Sequence, residues 1–268
     1  MNARTIIALL LLAIPPLAFG APVVLQSPLY VEYDVQPGKT YEGTLEIQNP
    51  NTTVQEVKLY QTDYVFWADG RNEYGDPGKL PRSNARWITV APPRATIPPN
   101  ETLRVRYTVQ IPDNSTLKGT YWSMIMIEPV DPSSPEFSSG GKEIQLGVRQ
   151  VLRYAVQVAT TIGSTGTVQL KFAGMRLAAD AGKRNLRIDV ENTGERTYRA
   201  TVWADLYDEK GVYVGQFAAG DRRLYPGTSA RFAVDLTGVA DATYKALILV
   251  DCGGDNVFGA NVNLVLKP

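Results

Sequence analysis

The chain has 268 residues, of which 44% are hydrophobic, so it is long enough and apolar enough for two folded domains. Lysine plus arginine equals aspartate plus glutamate, 27 against 27, and this balance favours neither nucleic acid nor anionic lipid as a partner. Histidine is absent. Its absence removes the commonest general base, the commonest metal ligand and the usual partner of a catalytic serine or cysteine. We therefore expect a protein that is not an enzyme and that holds no metal or cofactor.

The first twenty residues have the pattern of a secretory signal peptide. Arg4 supplies a positive charge, residues 6–14 form an apolar run, and Ala18 and Gly20 place small residues at the cleavage positions. Cleavage after Gly20 is predicted, so the protein is expected to be exported and not to span the membrane afterwards. The alternative is an uncleaved anchor, but the apolar run is shorter than the ~20 residues that cross a bilayer.

Short alternating runs of β-branched, aromatic and polar residues fill the rest of the chain, with Pro, Gly, Asn and Asp between them. The clearest run is Leu103–Ile111, which places apolar side chains on one face and Arg104 and Arg106 on the other. Such a strand is typical of an antiparallel sheet with one solvated face. The repeated pattern predicts an all-β protein with two immunoglobulin-like β-sandwich domains in tandem after a cleaved signal peptide.

The two halves of the chain share an internal similarity. In each half an apolar strand ends at an asparagine turn, at Asn49 in the first and at Asn192 in the second, and another strand follows. This similarity favours two versions of one fold over a single large barrel. The predicted boundaries are 1–20 for the signal peptide, 21–162 for the N-terminal domain and 163–268 for the C-terminal domain.

The residue types that most often carry chemistry give weak signals. Cys252 is the only cysteine, so no internal disulfide is possible, and its acidic surroundings favour a buried, inert thiol. The carboxylate clusters do not match the spacing of a calcium loop, and solvation of hairpin turns explains them better. These clusters are Asp205 with Asp208 and Glu209, and Asp251 with Asp255.

An aromatic group surrounds a turn signal at Asp69 and Gly70. One interpretation is a surface that stacks on a sugar or grips a partner, and the other is that alternate members fill the sandwich core. The group consists of Tyr60, Tyr64, Phe66, Trp67 and Tyr74.

The segments Trp87–Arg94, Ile97–Pro99, Leu103–Ile111 and Val148–Val158 together resemble the N-terminal domain of periplasmic pilus-assembly chaperones. That family has a similar strand, a Pro-Pro turn and an arginine-bearing strand. A weaker resemblance, through Pro37, Gly38, Gly43, Asn49 and the Gly70 region, is to bacterial surface proteins that interact with cell-wall WxL proteins. The two resemblances cover roughly residues 28–160, and residues 165–268 resemble generic bacterial immunoglobulin-like repeats.

The chaperone resemblance implies donor-strand complementation. In that mechanism an edge strand with alternating apolar side chains fills the groove of a subunit that lacks its last strand. The implied subunit-binding face consists of Val148, Leu152, Tyr154, Val156 and Val158, and Gln150 interrupts it. The alternative is that this strand is simply half-buried in its own domain.

The family anchors its client's C-terminal carboxylate with an arginine on the first strand and a lysine on the last. The corresponding first strand here, Leu29–Tyr33, has no arginine, and Glu32 would repel a carboxylate. Arg149 and Arg153 offer positive charge on the last strand and are the candidate anchor.

The sequence therefore predicts a periplasmic chaperone-like protein that assists the assembly of pilus or surface-fibre subunits by edge-strand donation. Its expected partners are those protein subunits. The alternative prediction is a non-enzymatic adhesion or envelope scaffold protein at the cell surface, which would bind through loops of the first domain.

Overall fold

The structure, a computed structural model, describes residues 22–130, 152–180 and 182–267. Within these ranges the chain forms seventeen β-strands and one short 3-10 helix at Ala85–Trp87. The same ranges contain no helix with the length and apolar character that crossing a bilayer requires. The predicted signal peptide, Val148 and Arg149 lie outside the described residues.

Two sheets pack face to face in the first half of the chain. One has the order β1-β3-β8-β6, and the other has the order β2-β10-β9-β4-β5 with β7 also paired to β4. All neighbours in these sheets are antiparallel except β2 and β10, which run parallel. The strands are β1 (Val24–Leu25), β2 (Tyr30–Val35), β3 (Thr40–Gln48), β4 (Gln55–Phe66), β5 (Asn72–Gly75), β6 (Ile88–Ala91), β7 (Arg94–Ile97), β8 (Thr102–Gln110), β9 (Gly119–Val130) and β10 (Tyr154–Ile162).

The core of the first sandwich follows the alternation of its strands. On β8, Val105, Tyr107 and Val109 are buried, whereas Arg104 and Arg106 are exposed. The buried face of β8 belongs to the same apolar cluster as residues of β9 and β10 in the opposite sheet. The predicted division of Leu103–Ile111 into an apolar face and a solvated face is therefore confirmed.

A second pair of sheets follows from Leu170 onwards. Their strand orders are β11-β12-β15 and β14-β13-β16-β17, and every pairing is antiparallel. They enclose a separate apolar cluster, so the predicted all-β fold with two sandwiches is confirmed. The strands are β11 (Leu170–Asp180), β12 (Lys183–Asn192), β13 (Tyr198–Asp208), β14 (Tyr213–Leu224), β15 (Ser229–Asp235), β16 (Thr243–Asp251) and β17 (Val257–Val265).

The two asparagine turns have the same construction in both sandwiches. Asn49 and Asn192 are fully buried, and each side-chain amide donates to backbone carbonyls across its turn. Asn49 Nδ2 reaches the carbonyl of Ile97 at 3.0 Å, and Asn192 Nδ2 reaches that of Leu224 at 3.1 Å. A buried amide bonded in this way satisfies backbone groups that the turn removes from the sheet.

The single thiol lies at the edge of the second core. Cys252 is buried, and burial followed by the charge of Asp251 raises the pKa of its thiol to about 12. A thiol with so high a pKa is almost entirely protonated at neutral pH and is a poor nucleophile. This setting agrees with the interpretation of Cys252 as a structural residue.

Candidate partner-binding site

The predicted binding strand falls into two parts that differ in burial. Val156 and Val158 are completely buried in the core of the first sandwich. For these two residues the structure agrees with the alternative interpretation, in which the strand is buried in its own domain. Neither side chain is available to a partner in this state. Tyr154 is partly buried, and its hydroxyl donates to the carbonyl of Val23 at 3.1 Å. Leu152 is 43% exposed.

The edge of β10 is open over its first residues. The parallel partner β2 begins its pairing at Gln157, whose N–H donates to the carbonyl of Leu29 at 2.9 Å. Among the described residues, Tyr154–Val156 pair with β9 alone. Successive residues of a strand direct their backbone groups to opposite sides. Arg153 and Ala155 therefore direct theirs to the same side as Gln157, which is the side where β2 has not yet begun to pair. Within the described residues these groups have no backbone partner, so an added strand could pair with them there.

A wide groove lies beside this edge on the outer face of the sheet. Its floor includes Tyr60, Met126 and Ala155, which are neighbours in register across β4, β9 and β10. Leu152 and Arg153 line one side of the groove. The groove has a volume of about 1070 Å³, and its lining mixes aromatic and apolar side chains with polar ones such as Gln61, Thr62 and Asp76.

Tyr60 and Arg153, which line this groove, are both bound to the carboxylate of Glu128. The Tyr60 hydroxyl donates to Glu128 at 2.8 Å, and Arg153 Nε lies 3.2 Å from the same carboxylate. Burial and then the bond to Glu128 raise the pKa of Tyr60, so the phenol remains a hydrogen-bond donor. The predicted anchor residue Arg153 thus already has an anionic neighbour, although its side chain is still 51% exposed.

A buried carboxylate holds the loop that forms the other wall of the groove. Asp63 is 2% exposed and accepts hydrogen bonds from the backbone N–H groups of Gly78, Lys79 and Leu80 at 2.7–3.0 Å. The hydroxyl of Ser83 donates to the same carboxylate. Ionised carboxylates surrounded by several donors make the stronger class of hydrogen bond, so Asp63 fixes the course of this loop.

Replacing Asp63 with alanine is expected to lower the free energy of unfolding by about 3 kcal/mol, because three backbone N–H groups and the Ser83 hydroxyl lose a shared, buried acceptor. Urea denaturation followed by tryptophan fluorescence measures the change. Asp76→Ala is the matched control, since this exposed carboxylate lies in the same loop. Equal effects of the two substitutions would contradict the assigned role of Asp63.

An aromatic stack joins the two sandwiches. The rings of Trp122 on β9 and Tyr225 lie parallel, with centroids 4.9 Å apart. The Tyr225 hydroxyl donates to the side-chain carbonyl of Gln157 at 2.5 Å, and the Trp122 indole N–H donates to the carbonyl of Tyr64 at 3.1 Å. Gln157 therefore links β10 to the second sandwich at the residue where the open edge ends.

Backbone and ionic contacts complete this junction. The N–H of Thr120 donates to the carbonyl of Glu195 at 2.8 Å. The carboxylate of Glu195 lies 2.9 Å from Lys118 and 3.4 Å from Arg82, and its bond to Lys118 is the main cause of its lowered pKa. The junction thus combines an apolar stack with paired charges, and it fixes the first sandwich against the second.

Glu32, which was expected to repel a client's carboxylate, is paired with an arginine of the second sandwich. Arg223 Nη1 lies 3.4 Å from the Glu32 carboxylate, and the guanidinium stands 3.5 Å over the ring of Tyr30. The Tyr30 hydroxyl also donates to Glu32. The negative charge on the first strand is therefore compensated, a contact that sequence spacing does not reveal because the two residues are 191 positions apart.

Sequence reasoning missed a group of arginines at the junction. Arg71, Arg222, Arg223 and Arg231 line a cleft of about 490 Å³ together with Tyr225. Three of them face Asp69, Glu32 and Asp189 respectively, whereas Arg222 has no ionic or hydrogen-bond partner among the residues that the structure describes. No local pattern predicts this cleft, because its walls come from distant segments of both sandwiches.

The aromatic group does not fill the first core as one interpretation proposed. Tyr64 packs against Tyr74 and Phe66 at centroid distances of 4.8 and 5.6 Å on the outer side of β4 and β5. Phe66 also contacts Tyr225, 6.3 Å away. The predicted turn is present, with Gly70 at φ 92° and its N–H bonded to the carbonyl of Trp67. These rings support the groove and the junction.

Comparisons with known proteins give structural likenesses only. No family model matches the sequence, and no curated protein matches it either. Among solved structures, a chaperone–tip adhesin complex of CFA/I fimbriae biogenesis is 13% identical with a TM-score of 0.48. The alignment includes 92% of this chain and 100% of that chain. The class 5 fimbriae chaperone CfaA is 15% identical with a TM-score of 0.44, with coverages of 92% and 99%.

A third similar structure is the CsuC–CsuE chaperone–tip adhesion subunit pre-assembly complex of archaic Csu pili from Acinetobacter baumannii. It is 13% identical with a TM-score of 0.45, and 89% of this chain covers 98% of that chain. Likenesses at this level of identity and TM-score do not decide function.

Proposed function

We propose that the protein is a periplasmic, chaperone-like protein that assists the assembly of pilus or surface-fibre subunits by donating the edge of β10. The observation that carries this proposal is the open backbone edge before Gln157, beside which Leu152 is exposed. A subunit that lacks a strand can pair with such an edge through main-chain hydrogen bonds, while side chains at the edge provide selectivity.

The division of β10 supports donation without loss of the chaperone's own fold. Val156 and Val158 hold the later part of the strand in the first core, and Gln157 is bound by Tyr225. Of the described residues, Leu152 and Arg153 would then carry client contacts, and Val148 and Arg149 remain proposed contact residues. Binding would therefore require no unfolding of the first sandwich.

Positive charge is available at both ends of the proposed contact. Arg153 is half exposed beside the groove, and Arg222 faces the cleft between the sandwiches. A client's carboxylate would be attracted to either position, and Arg149 would add to the first. The role is one of binding, with catalysis playing no part in it.

The test is a pull-down of a strand-deficient pilus subunit encoded beside this chain. Replacing Leu152 with aspartate is expected to weaken its binding about 100-fold, because a charge replaces an apolar side chain that the client would bury. Val54→Asp is the matched control, since Val54 is 58% exposed and immediately precedes β4, which is separated from β10 by β9. Both variants should keep the wild-type unfolding temperature. Full retention of the subunit by folded Leu152→Asp protein would overturn the proposal.

A scaffold that binds envelope polymers is the second candidate. It is favoured by the loop after β4, where the guanidinium of Arg71 stands 5.0 Å over the ring of Trp67 beside the arginine cleft. Replacing Trp67 with alanine separates the two functions. If the protein is a chaperone, Trp67→Ala should leave subunit capture by β10 unchanged. If the protein binds envelope polymers, the same variant should lose affinity for isolated cell-wall or outer-membrane material.

A further inference from the structure

Among the described residues, the last strand, β17, is an edge strand without the usual protection against pairing. It runs for nine residues, Val257–Val265, and contains no charged side chain. Its register with β16 is regular throughout, so no bulge bends it. Val257 and Val265 are 52% and 50% exposed at its two ends. Long, flat, uncharged edges are the ones that readily add another strand.

The other described edge strands differ from β17 in at least one of these properties. The edges β1, β6 and β7 are only two to four residues long. The edges β2, β5, β11 and β15 each contain charged residues, for example Glu32, Glu73, Lys171 and Arg231. The opposite edge of the same sheet, β14, carries charged residues near its C-terminal end, and its pairing with β13 is interrupted by two register shifts. Short length, charge and bulges are all ways to block edge pairing.

The outward backbone groups of β17 can be assigned from its bonds to β16. Cys252 N–H donates to the carbonyl of Asn256, and Leu266 N–H donates to that of Ala242, both at 2.9 Å. Even-numbered residues of β17 therefore bond inwards to β16. The odd-numbered residues direct their N–H and C=O groups outwards to the open edge. The outward residues are Val257, Gly259, Asn261, Asn263 and Val265.

The sequence of β17 is self-complementary when the strand is reversed about Asn261. Val257 then faces Val265, Gly259 faces Asn263, and Asn261 faces its own copy. Each residue whose backbone groups point to the open edge then lies opposite another such residue. Each of these pairs can exchange two backbone hydrogen bonds. On the core side Phe258 meets Leu264 and Ala260 meets Val262, and no like charges meet anywhere.

We propose that β17 pairs antiparallel with β17 of a second copy of this chain, with Asn261 on the two-fold axis. The two four-stranded sheets then form one continuous sheet. A single strand pair is at the low end of interface sizes, so we expect a weak dimer with a Kd of about 10 μM. The contact is in the second sandwich and leaves β10 free, so it is independent of the proposed function.

Sedimentation velocity over about 1–300 μM protein tests the dimer, with a concentration-dependent shift to twice the monomer mass as the expected result. Asn261→Lys should weaken dimerisation about fivefold, because like charges directly opposite each other are unfavourable. Asn261→Asp should do the same alone, and an equimolar mixture of the two variants should recover the dimer. Recovery in the mixture also shows that each variant is folded.

Cysteine cross-linking tests the register. Paired residues of this kind have Cα atoms about 5.5 Å apart, which is within the range of a disulfide, so Asn261→Cys should form a covalent dimer under mild oxidation. Asn263→Cys is the matched control in the same strand, because its partner is Gly259 and not its own copy. The native thiol of Cys252 is buried, so neither variant is expected to cross-link through it.

A protein that stays monomeric over the whole concentration range would overturn the proposal. A dimer that is unchanged in Asn261→Lys would do the same, as would equally efficient cross-linking of Asn263→Cys.

Discussion

Replacing Val158 with aspartate is expected to prevent the first sandwich from folding. Val158 has no exposed surface, and its strand is paired with β2 on one side and β9 on the other. The substitution removes a buried apolar side chain and places an unpaired carboxylate in the core, at a combined cost of about 5 kcal/mol or more. This cost is comparable with the whole stability of a typical domain, about 5–15 kcal/mol.

Soluble yield and urea denaturation measure this effect. Leu152→Asp is the matched comparison, because it introduces the same charge on the same chain segment at a side chain that is 43% exposed. We expect Leu152→Asp protein to unfold at the wild-type urea concentration. A cooperatively folded Val158→Asp protein would show that β10 is not part of the core, and the proposed division of the strand would then be wrong.

Replacing Gly119 with alanine is expected to open the junction between the sandwiches. Gly119 has φ +70°, and an added Cβ would lie 2.1 Å from the carbonyl oxygen of Glu195. Because the obstacle is backbone, it cannot rotate away, and the adjacent bond from Thr120 N–H to that carbonyl would be lost. Backbone strain and the lost contacts together should cost about 4 kcal/mol of the free energy that holds the sandwiches together.

Differential scanning calorimetry should then show two separate unfolding transitions, whereas we expect a single transition for the wild-type protein. Gly211→Ala is the matched control, since Gly211 has φ +82° but no atom within 4 Å of an added Cβ. It carries the backbone strain without the collision. An identical single transition in all three proteins would mean that the junction does not couple the sandwiches.

Much of the fold was predictable because most strands bury one face. On β8 the alternation between Arg104 or Arg106 and the buried Val105, Tyr107 and Val109 is complete, and the structure reproduces it. Strand β11 was not predicted. A register shift between Phe172 and Gly174 changes which residues face the core, so the period of two is broken inside the strand.

The candidate site was only partly predictable, for a different reason. Alternation along Val148–Val158 indicates a strand with one apolar face, but it does not say whether that face meets the chain's own core or a partner. The answer depends on where β2 begins to pair, which is a long-range fact. The same is true of Asp63, whose backbone partners are 15–17 residues away, and of Arg223, which compensates Glu32 from the other sandwich.

The position of Gln157 has a consequence for how this protein can change in evolution. Residues after it are constrained by the core and by Tyr225, so an insertion or deletion there would shift buried side chains to the solvent face. Tyr154 and Val156 before it are still held by the core and by β9, whereas Leu152 and Arg153, which precede β10, are about half exposed. Under the proposed function, the residues just before β10 can therefore change and alter which client is bound, while the buried residues of the strand preserve the fold.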